Sequence, residues 1–277
     1  MRRSLAALLV ALAPLPAAAE CPSVPEVARL AAAILDRSPP PPPRADLSMA
    51  DALCARDRLV AVLAQPWGDQ TGWKVAPGGP NGTLLAGALF FGTLRAASGA
   101  ELPARFGTTP MLAPGLLLRI GTEGIARAGD DHVALLRHVE AVIPFLDLPD
   151  LAYGPAAPWS PALRLSINLG TRLGVVGEPI PAAATPAFAR ALGTVEVVVA
   201  DATGPLAQGR GDAGPGHPLD ALAWLVRSLG AEGRVLRAGE HVAIAGLGPA
   251  VPAVPGDFAA TFTGLAPQPA RVELRLR

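Results

Sequence analysis

The sequence predicts an α+β protein in which a helical N-terminal region precedes a β-rich body. Before residue 68, two segments carry helix start signals and an apolar face. From residue 72 onward, short apolar runs alternate with glycine and proline, and their lengths suit strands. The chain has 277 residues, 51% of them hydrophobic, and shows no internal repeat. This is enough for one large domain or two modest ones.

The N-terminal helices are predicted from their first residues. Ser23–Glu26 and Ser48–Asp51 each place a hydroxyl three positions before a carboxylate, the pattern of a capping box. We expect the first helix to end near Asp36 and the second to end by Gly68. Between them, Pro39–Pro43 must be an extended, stiff polyproline spacer.

The body is predicted to alternate strands with two helices. Helices are expected over residues 130–140 and 217–229, the second with proline in its first turn. Residues 195–206 are expected to form a hairpin that turns at residues 201–204. The predicted strands are Leu84–Phe91, Leu116–Ile120, Ala141–Leu148, Leu163–Ile167, Leu173–Val176, Val195–Val199, Val242–Ala245, Phe258–Phe262 and Val272–Leu276.

The first 19 residues have the pattern of a signal peptide. Arg2 and Arg3 precede an apolar run over residues 5–15, and small residues follow at 17–19. This run is shorter than the ~20 residues that a membrane span needs. We therefore expect cleavage near Ala19, export to the periplasm or medium, and three regions: a signal peptide (1–19), a helical region with a proline-rich linker (20–68) and a β-rich body (69–277).

Charge and cysteine content narrow the possible partners and compartments. The 23 basic and 23 acidic residues balance, which argues against nucleic acid and against an anionic membrane surface as partners. The two cysteines are Cys21 and Cys54. Export would permit a disulfide between them, and two unpaired buried thiols are the alternative.

Lys74 is the only lysine of the chain and the first candidate for chemistry. It stands in the apolar run Gly72–Val75, just before a glycine-rich loop. An arginine stays protonated, whereas a lysine in an apolar pocket can act as an acid or a base. A surface lysine without a role is the alternative.

Four segments together resemble the 2-keto-4-pentenoate hydratase branch of the fumarylacetoacetase superfamily. The resemblance covers about residues 48–264, and its segments occur in the family's order: Gly72–Val75, Ala141–Leu148, Pro218–Leu225 and Val251–Asp257. It implies a helical N-terminal cap and a mixed β-roll body of the fumarylacetoacetase C-terminal-domain type. It also implies homo-oligomers and a metal-dependent hydratase acting on 2-keto acids, with Lys74 as the proton-transfer lysine.

The chain departs from this family at the metal ligands. The family holds Mg²⁺ or Mn²⁺ with three carboxylates, and such hard cations require oxygen ligands. Here Ala113 and Gly115 occupy two ligand positions, and Asp147 occupies the third. Ala86 and Gly87 stand where an acidic pair follows the lysine loop. We therefore expect no bound metal or other cofactor.

Ser166 and Asn168 are the remaining candidates for substrate binding. They lie where the family has an Asn/Ser-rich strand lining the pocket, and they could hydrogen-bond a carboxylate or keto oxygen alongside Asp147. Polar residues that satisfy a strand end are the alternative. The four histidines show no metal-ligand spacing, and no serine-hydrolase elbow is present.

Two hypotheses of function remain open. The first is an exported hydratase-like hydro-lyase that acts on a small 2-keto or 2-hydroxy-dienoic carboxylate, with Lys74 transferring a proton without a metal. The second is a non-catalytic homologue that binds a small carboxylate or serves as a structural protein. The discriminating observation is whether Lys74 and Asp147 face the same pocket, since a Lys74 ammonium that points to bulk solvent would exclude the first hypothesis.

Overall fold

A computed structural model of the protein describes residues 21–44, 46–79, 82–94, 96–214 and 216–277. The predicted signal peptide, residues 1–19, lies outside these ranges. The described helices are α1 (Val24–Asp36), α2 (Met49–Trp67), α3 (His132–Leu136), α4 (Pro161–Ser166), α5 (Pro186–Thr194) and α6 (Pro218–Ala231). Short 3₁₀ turns cover Phe91–Thr93, Glu123–Arg127 and Asn168–Gly170. Within the described ranges, none of the helices has the length and apolar character to cross a membrane.

The strands form two sheets that contain both parallel and antiparallel pairs. They are β1 (Gln70–Pro77), β2 (Leu84–Phe90), β3 (Ala96–Ala97), β4 (Ala100–Leu102), β5 (Met111–Ile120), β6 (Val139–Leu148), β7 (Leu173–Val176), β8 (Ile180–Pro181), β9 (Glu196–Asp201), β10 (Gly204–Arg210), β11 (His241–Ala245), β12 (Val251–Pro252), β13 (Gly256–Thr263) and β14 (Ala270–Leu276).

The larger sheet has the order β2-β1-β11-β5-β6-β7-β3, with β12 beside β5 and β8 beside β6. The smaller sheet has the order β10-β9-β13-β14-β4. β1 pairs with β11 in parallel, whereas β5 and β6 are antiparallel. The α+β class and the mixed β-roll expected from the sequence are confirmed.

The two N-terminal helices begin where their capping patterns predicted. The backbone N–H of Ser23 donates to Glu26 Oε2 at 2.7 Å, and the backbone N–H of Asp51 donates to Ser48 Oγ at 3.1 Å. A Cys21–Cys54 disulfide joins the chain before α1 to α2, with 5.5 Å between the two Cα atoms. Of the two alternatives that the sequence left open, the structure has the disulfide, which ties the start of α1 to α2.

Two predicted elements differ from the structure, and one helix was not predicted. The strand predicted over residues 163–167 is wrong, because these residues belong to α4 and to the turn that follows it. A short apolar run does not by itself distinguish a strand from a buried helix. The helix predicted over residues 130–140 is shorter, since α3 ends at Leu136 and β6 begins at Val139. Helix α5, capped by Thr185, was not predicted.

The larger sheet is buried on both faces. On one face it packs with the smaller sheet and with α6, through side chains that include Val75, Leu116, Leu146, Ile244, Leu222 and Phe262. The opposite face carries a smaller apolar cluster with Leu117, Phe145 and Ala243. Lys74 lies in register with Ala243 on the adjacent strand, so the lysine projects from this second face.

Candidate functional site

Lys74 is buried in the middle of β1, with 2% of its surface exposed. Its partners in register on the two neighbouring strands are Gly87 on β2 and Ala243 on β11. Because both partners are small, the lysine stem can lie along the sheet without a clash. The ammonium lies 2.5 Å from Asp147 Oδ2 and donates to the backbone oxygen of Leu169 at 3.3 Å.

Asp147 lies on β6 and is equally buried, with 3% of its surface exposed. Strands β11 and β5 separate β6 from β1 in the sheet. On a flat sheet, three steps of ~4.8 Å would place the two strands roughly 14 Å apart. An ion pair between Lys74 and Asp147 therefore requires the sheet to curl around this face. The curl brings together two residues that are 73 positions apart in the sequence.

The Lys74–Asp147 pair lines a cavity of about 190 Å³, which we call the Lys74 cavity. Lys74, Asp147 and Arg164 are the charged side chains among its described lining residues. Its apolar walls include Ala76, Ala113, Leu151, Ile167, Leu169 and Ala245. Pockets for drug-sized ligands span roughly 300–1,000 Å³, so this cavity suits a smaller molecule with an apolar part.

Arg164 is the cavity residue that sequence reasoning missed. It lies in the last turn of α4, half-buried, with its guanidinium carbon 5.1 Å from the centre of the Trp159 ring. In the described part of the chain, no carboxylate pairs with this guanidinium. The available signal was Ser160 followed by Pro161, an N-cap with proline in the first turn, which would have predicted a helix here.

Ser166 and Asn168 are not among the described residues that line the Lys74 cavity. The Ser166 hydroxyl donates to the backbone oxygen of Leu163 at 2.9 Å and lies in a different cavity, beside α1 and the proline run. Their role in substrate binding, proposed from the sequence, stays a prediction. The strand expected to carry them is replaced by the end of α4 and a 3₁₀ turn.

The Asn168 amide bridges to strand β2. Its Oδ1 accepts from the backbone N–H of Ala88 at 2.6 Å, and its Nδ2 donates to the Ala88 oxygen at 2.9 Å. Asn168 and Leu169 both have a φ of 55°, and asparagine tolerates this left-handed conformation better than most residues. The amide thus holds the turn in which the Leu169 oxygen meets Lys74.

The residues present do not fit the three-carboxylate cage that the superfamily implies for a divalent metal. Ala113 lies directly opposite Asp147 across the β5–β6 pair but carries no ligand atom. A Cβ at Gly115 would lie 2.8 Å from the Ile244 oxygen, so a side chain there requires the backbone to move. Asp147 is occupied by Lys74. Among the described residues, no group of three or more His, Cys, Asp or Glu side chains could hold a metal ion.

Similarity to curated sequences covers short stretches of the chain. No protein-family model matches the chain. A stretch of 53 residues is 47% identical to a 2-hydroxyhexa-2,4-dienoate hydratase from Comamonas testosteroni, and covers 19% of this chain and 20% of that enzyme. A stretch of the same length is 45% identical to a 2-keto-4-pentenoate hydratase from Paraburkholderia xenovorans, again 20% of that enzyme. The chain thus matches about a fifth of the length of these relatives.

Similarity to solved structures covers nearly the whole chain. A 4-oxalocrotonate decarboxylase from Pseudomonas putida G7, solved with magnesium and adipate, superposes with a TM-score of 0.77 over 92% of this chain and 97% of that chain, at 18% identity. A 2-hydroxyhepta-2,4-diene-1,7-dioate isomerase from Mycobacterium marinum gives a TM-score of 0.52 at 11% identity, covering 75% of each chain. At such identities the likeness concerns the fold alone. The chain therefore has the fold of the fumarylacetoacetase superfamily, and its resemblance to the 2-keto-4-pentenoate hydratase branch is confirmed over the matching segment.

Proposed function

We propose that the protein is a hydratase-like enzyme that binds a small 2-keto or 2-hydroxy-dienoic carboxylate and transfers a proton through Lys74 without a metal ion. The observation that carries this proposal is the position of Lys74, whose ammonium is buried in a cavity instead of pointing to bulk solvent. Similarity to hydratases in sequence and to a decarboxylase in fold supports a small dienoate or keto acid as the substrate class.

The Lys74–Asp147 pair is suited to moving protons in both directions. At 2.5 Å, a proton can pass from Nζ to Oδ2, which leaves a neutral amine and a neutral acid with no change of net charge. The amine can then take the proton of a substrate 2-hydroxyl, and the pair can return a proton to the far carbon of the dienol. The product of these two steps is an unsaturated keto acid, to which water adds at the β-carbon.

A single acid–base pair contributes less to the reaction rate than a complete site with a metal ion would. A positioned acid–base group contributes roughly 10²–10⁴-fold to a rate. Burial in an apolar wall strengthens the interaction of Lys74 with a developing negative charge, because the effective dielectric constant is low there. The proposed reaction is therefore an easy proton transfer in a small, mostly apolar cavity.

The alternative is a non-catalytic homologue that binds a small carboxylate or is structural. The same ion pair supports this alternative, because Lys74 and Asp147 satisfy each other with only 3% and 5% of their side chains exposed. A buried pair of this kind is costly to break yet can be catalytically idle.

The test is turnover of 2-hydroxypenta-2,4-dienoate by the purified protein and by a Lys74→Gln/Asp147→Asn variant. This variant replaces the ion pair with a neutral pair that can still hydrogen-bond, so folding is not left with an unpaired buried charge. We expect its rate to fall by roughly 10²–10⁴-fold. An unchanged rate would disprove the role of Lys74, and a native protein without turnover would favour the non-catalytic homologue. Arg105→Gln, an exposed substitution away from the cavity, is the control.

Export and self-association belong to the same proposal. The signal-peptide pattern of residues 1–19 supports export to the periplasm or medium, and the Cys21–Cys54 disulfide suits an oxidising compartment. The superfamily resemblance supports a homo-oligomer.

A further inference from the structure

The charges of the Lys74 cavity do not balance. Lys74 and Asp147 neutralise each other at 2.5 Å, which leaves Arg164 as the uncompensated charge among the described lining residues. A guanidinium remains protonated at any physiological pH. The cavity therefore carries one net positive charge beside an apolar wall.

Arg164 is positioned beside an aromatic side chain that is itself hydrogen-bonded. Its guanidinium lies over the Trp159 ring, 5.1 Å from the ring centre, and the Trp159 indole N–H donates to the backbone oxygen of Gly154 at 3.0 Å. Among the described residues, no hydrogen bond or ion pair uses the guanidinium N–H groups, so these donors can serve another partner. Keeping a half-buried cation without a counter-charge is unfavourable, because burial removes part of its hydration. An anion bound in the cavity would relieve that cost.

We propose that Arg164 receives the carboxylate of the ligand, and that the cavity selects a monocarboxylate with a short apolar chain. This inference rests on the ligand class of the proposed function and adds the residue that recognises it. The guanidinium fork matches a carboxylate with two parallel hydrogen bonds, which supplies the recognition that a metal would otherwise give. A dicarboxylate would bring a second negative charge towards Asp147 or into the apolar wall, where the other described cation, Lys74, is already paired with Asp147.

The test is titration calorimetry with three unreactive probes: pentanoate, its uncharged analogue pentanamide, and the dicarboxylate pentanedioate. We expect the native protein to prefer pentanoate over both analogues. Arg164→Gln should weaken pentanoate binding by about 10- to 100-fold, as for a charge-assisted hydrogen bond, and remove the preference over pentanamide. Arg164→Lys keeps the charge but loses the two parallel N–H donors of the guanidinium. Its affinity for pentanoate should therefore lie between those of the native protein and Arg164→Gln.

The controls separate recognition from general effects. Arg105→Gln makes the same change of net charge at an exposed site and should leave pentanoate binding unchanged. Thermal unfolding of each variant shows whether Arg164→Gln still folds, and Arg164→Lys carries the test if it does not. Pentanoate binding that is absent in the native protein, or unchanged in Arg164→Gln, would overturn the inference.

Failure of this inference is distinguishable from failure of the proposed function, because binding pentanoate requires no proton transfer. A protein that binds pentanoate through Arg164 but turns over no dienoate would uphold the inference and favour the non-catalytic homologue. A protein that turns over a dienoate with the same KM in Arg164→Gln would uphold the enzyme and overturn the role of Arg164.

Discussion

Because Lys74 and Asp147 form a buried ion pair, the effect on stability of substituting one residue depends on whether the other is still present. Both side chains are almost fully enclosed, and the Lys74 ammonium is also hydrogen-bonded to the Leu169 oxygen. Removing one partner would leave the other as an uncompensated buried charge, whereas removing both would leave an apolar environment. The stability effect of the two single substitutions should therefore not be additive.

Lys74→Met should lower the free energy of unfolding by about 3–5 kcal/mol, because Asp147 is then buried without a partner. The double variant Lys74→Met/Asp147→Leu should recover most of this loss, since two apolar side chains replace the pair. Urea unfolding of the native protein and both variants measures the difference. A single variant that is no less stable than the double variant would mean that Asp147 is hydrated and the pair is not buried.

At the scale of single residues, the sequence led to part of the site. Lys74 stood out as the only lysine, and Asp147 was placed by the family pattern around β6. Their contact depends on the curl of the sheet across four strands, which residue periodicity does not reveal. Arg164 was missed because its segment was predicted to be a strand, and only a helix turns this side chain towards the cavity.

At the scale of elements, local capping chemistry was the most reliable guide. α1, α2 and α6 begin where a cap or a first-turn proline predicted them, because these signals involve only neighbouring residues. α4 and α5 also begin with a capping hydroxyl and a proline, at Ser160 and Thr185. Both are short helices in a chain dominated by strands, and their apolar content alone did not distinguish a helix from a strand.

Helix α6 should make the stability of the protein depend on pH. Its N-cap is His217, whose Nδ1 accepts from the backbone N–H of Leu219 at 3.1 Å. Burial lowers the pKa of His217 below its ordinary value of 6.5 and outweighs the hydrogen bond to the Ala189 oxygen, which acts in the opposite direction. The charge of the stacked His132 also lowers this pKa, whereas Asp220 and Asp212 raise it. The unfolded state therefore binds more protons than the folded state below about pH 6.5, so stability is lost as the pH falls through that window.

His217→Asn should reduce this loss, because asparagine still caps the helix but does not titrate. We expect the free energy of unfolding to fall less between about pH 7.5 and about pH 5 in the variant than in the native protein. Part of the dependence should remain, since burial also lowers the pKa of His241. Urea midpoints at the two pH values provide the measurement. Equal pH dependence in both proteins would show that the pKa of His217 is the same in the folded and unfolded states.

At the scale of the whole molecule, we propose that a shared fold carries a changed site. The chain superposes on a decarboxylase that was solved with magnesium over 92% of its length, yet only 18% of the aligned residues are identical. Fold alone does not assign function, because chemistry depends on the side chains that the fold presents. Here Ala113 and Gly115 present none, and the backbone around Gly115 leaves no space for one.

We propose that a lysine–aspartate pair takes the place of a cation cage in this cavity. Titration of Mn²⁺ into chelator-treated protein, compared with Asp147→Asn, tests it most directly and does not depend on finding a substrate. We expect no saturable binding of one equivalent of Mn²⁺ in the native protein, and the same result in Asp147→Asn. One equivalent of tightly bound Mn²⁺ that disappears in Asp147→Asn would contradict it.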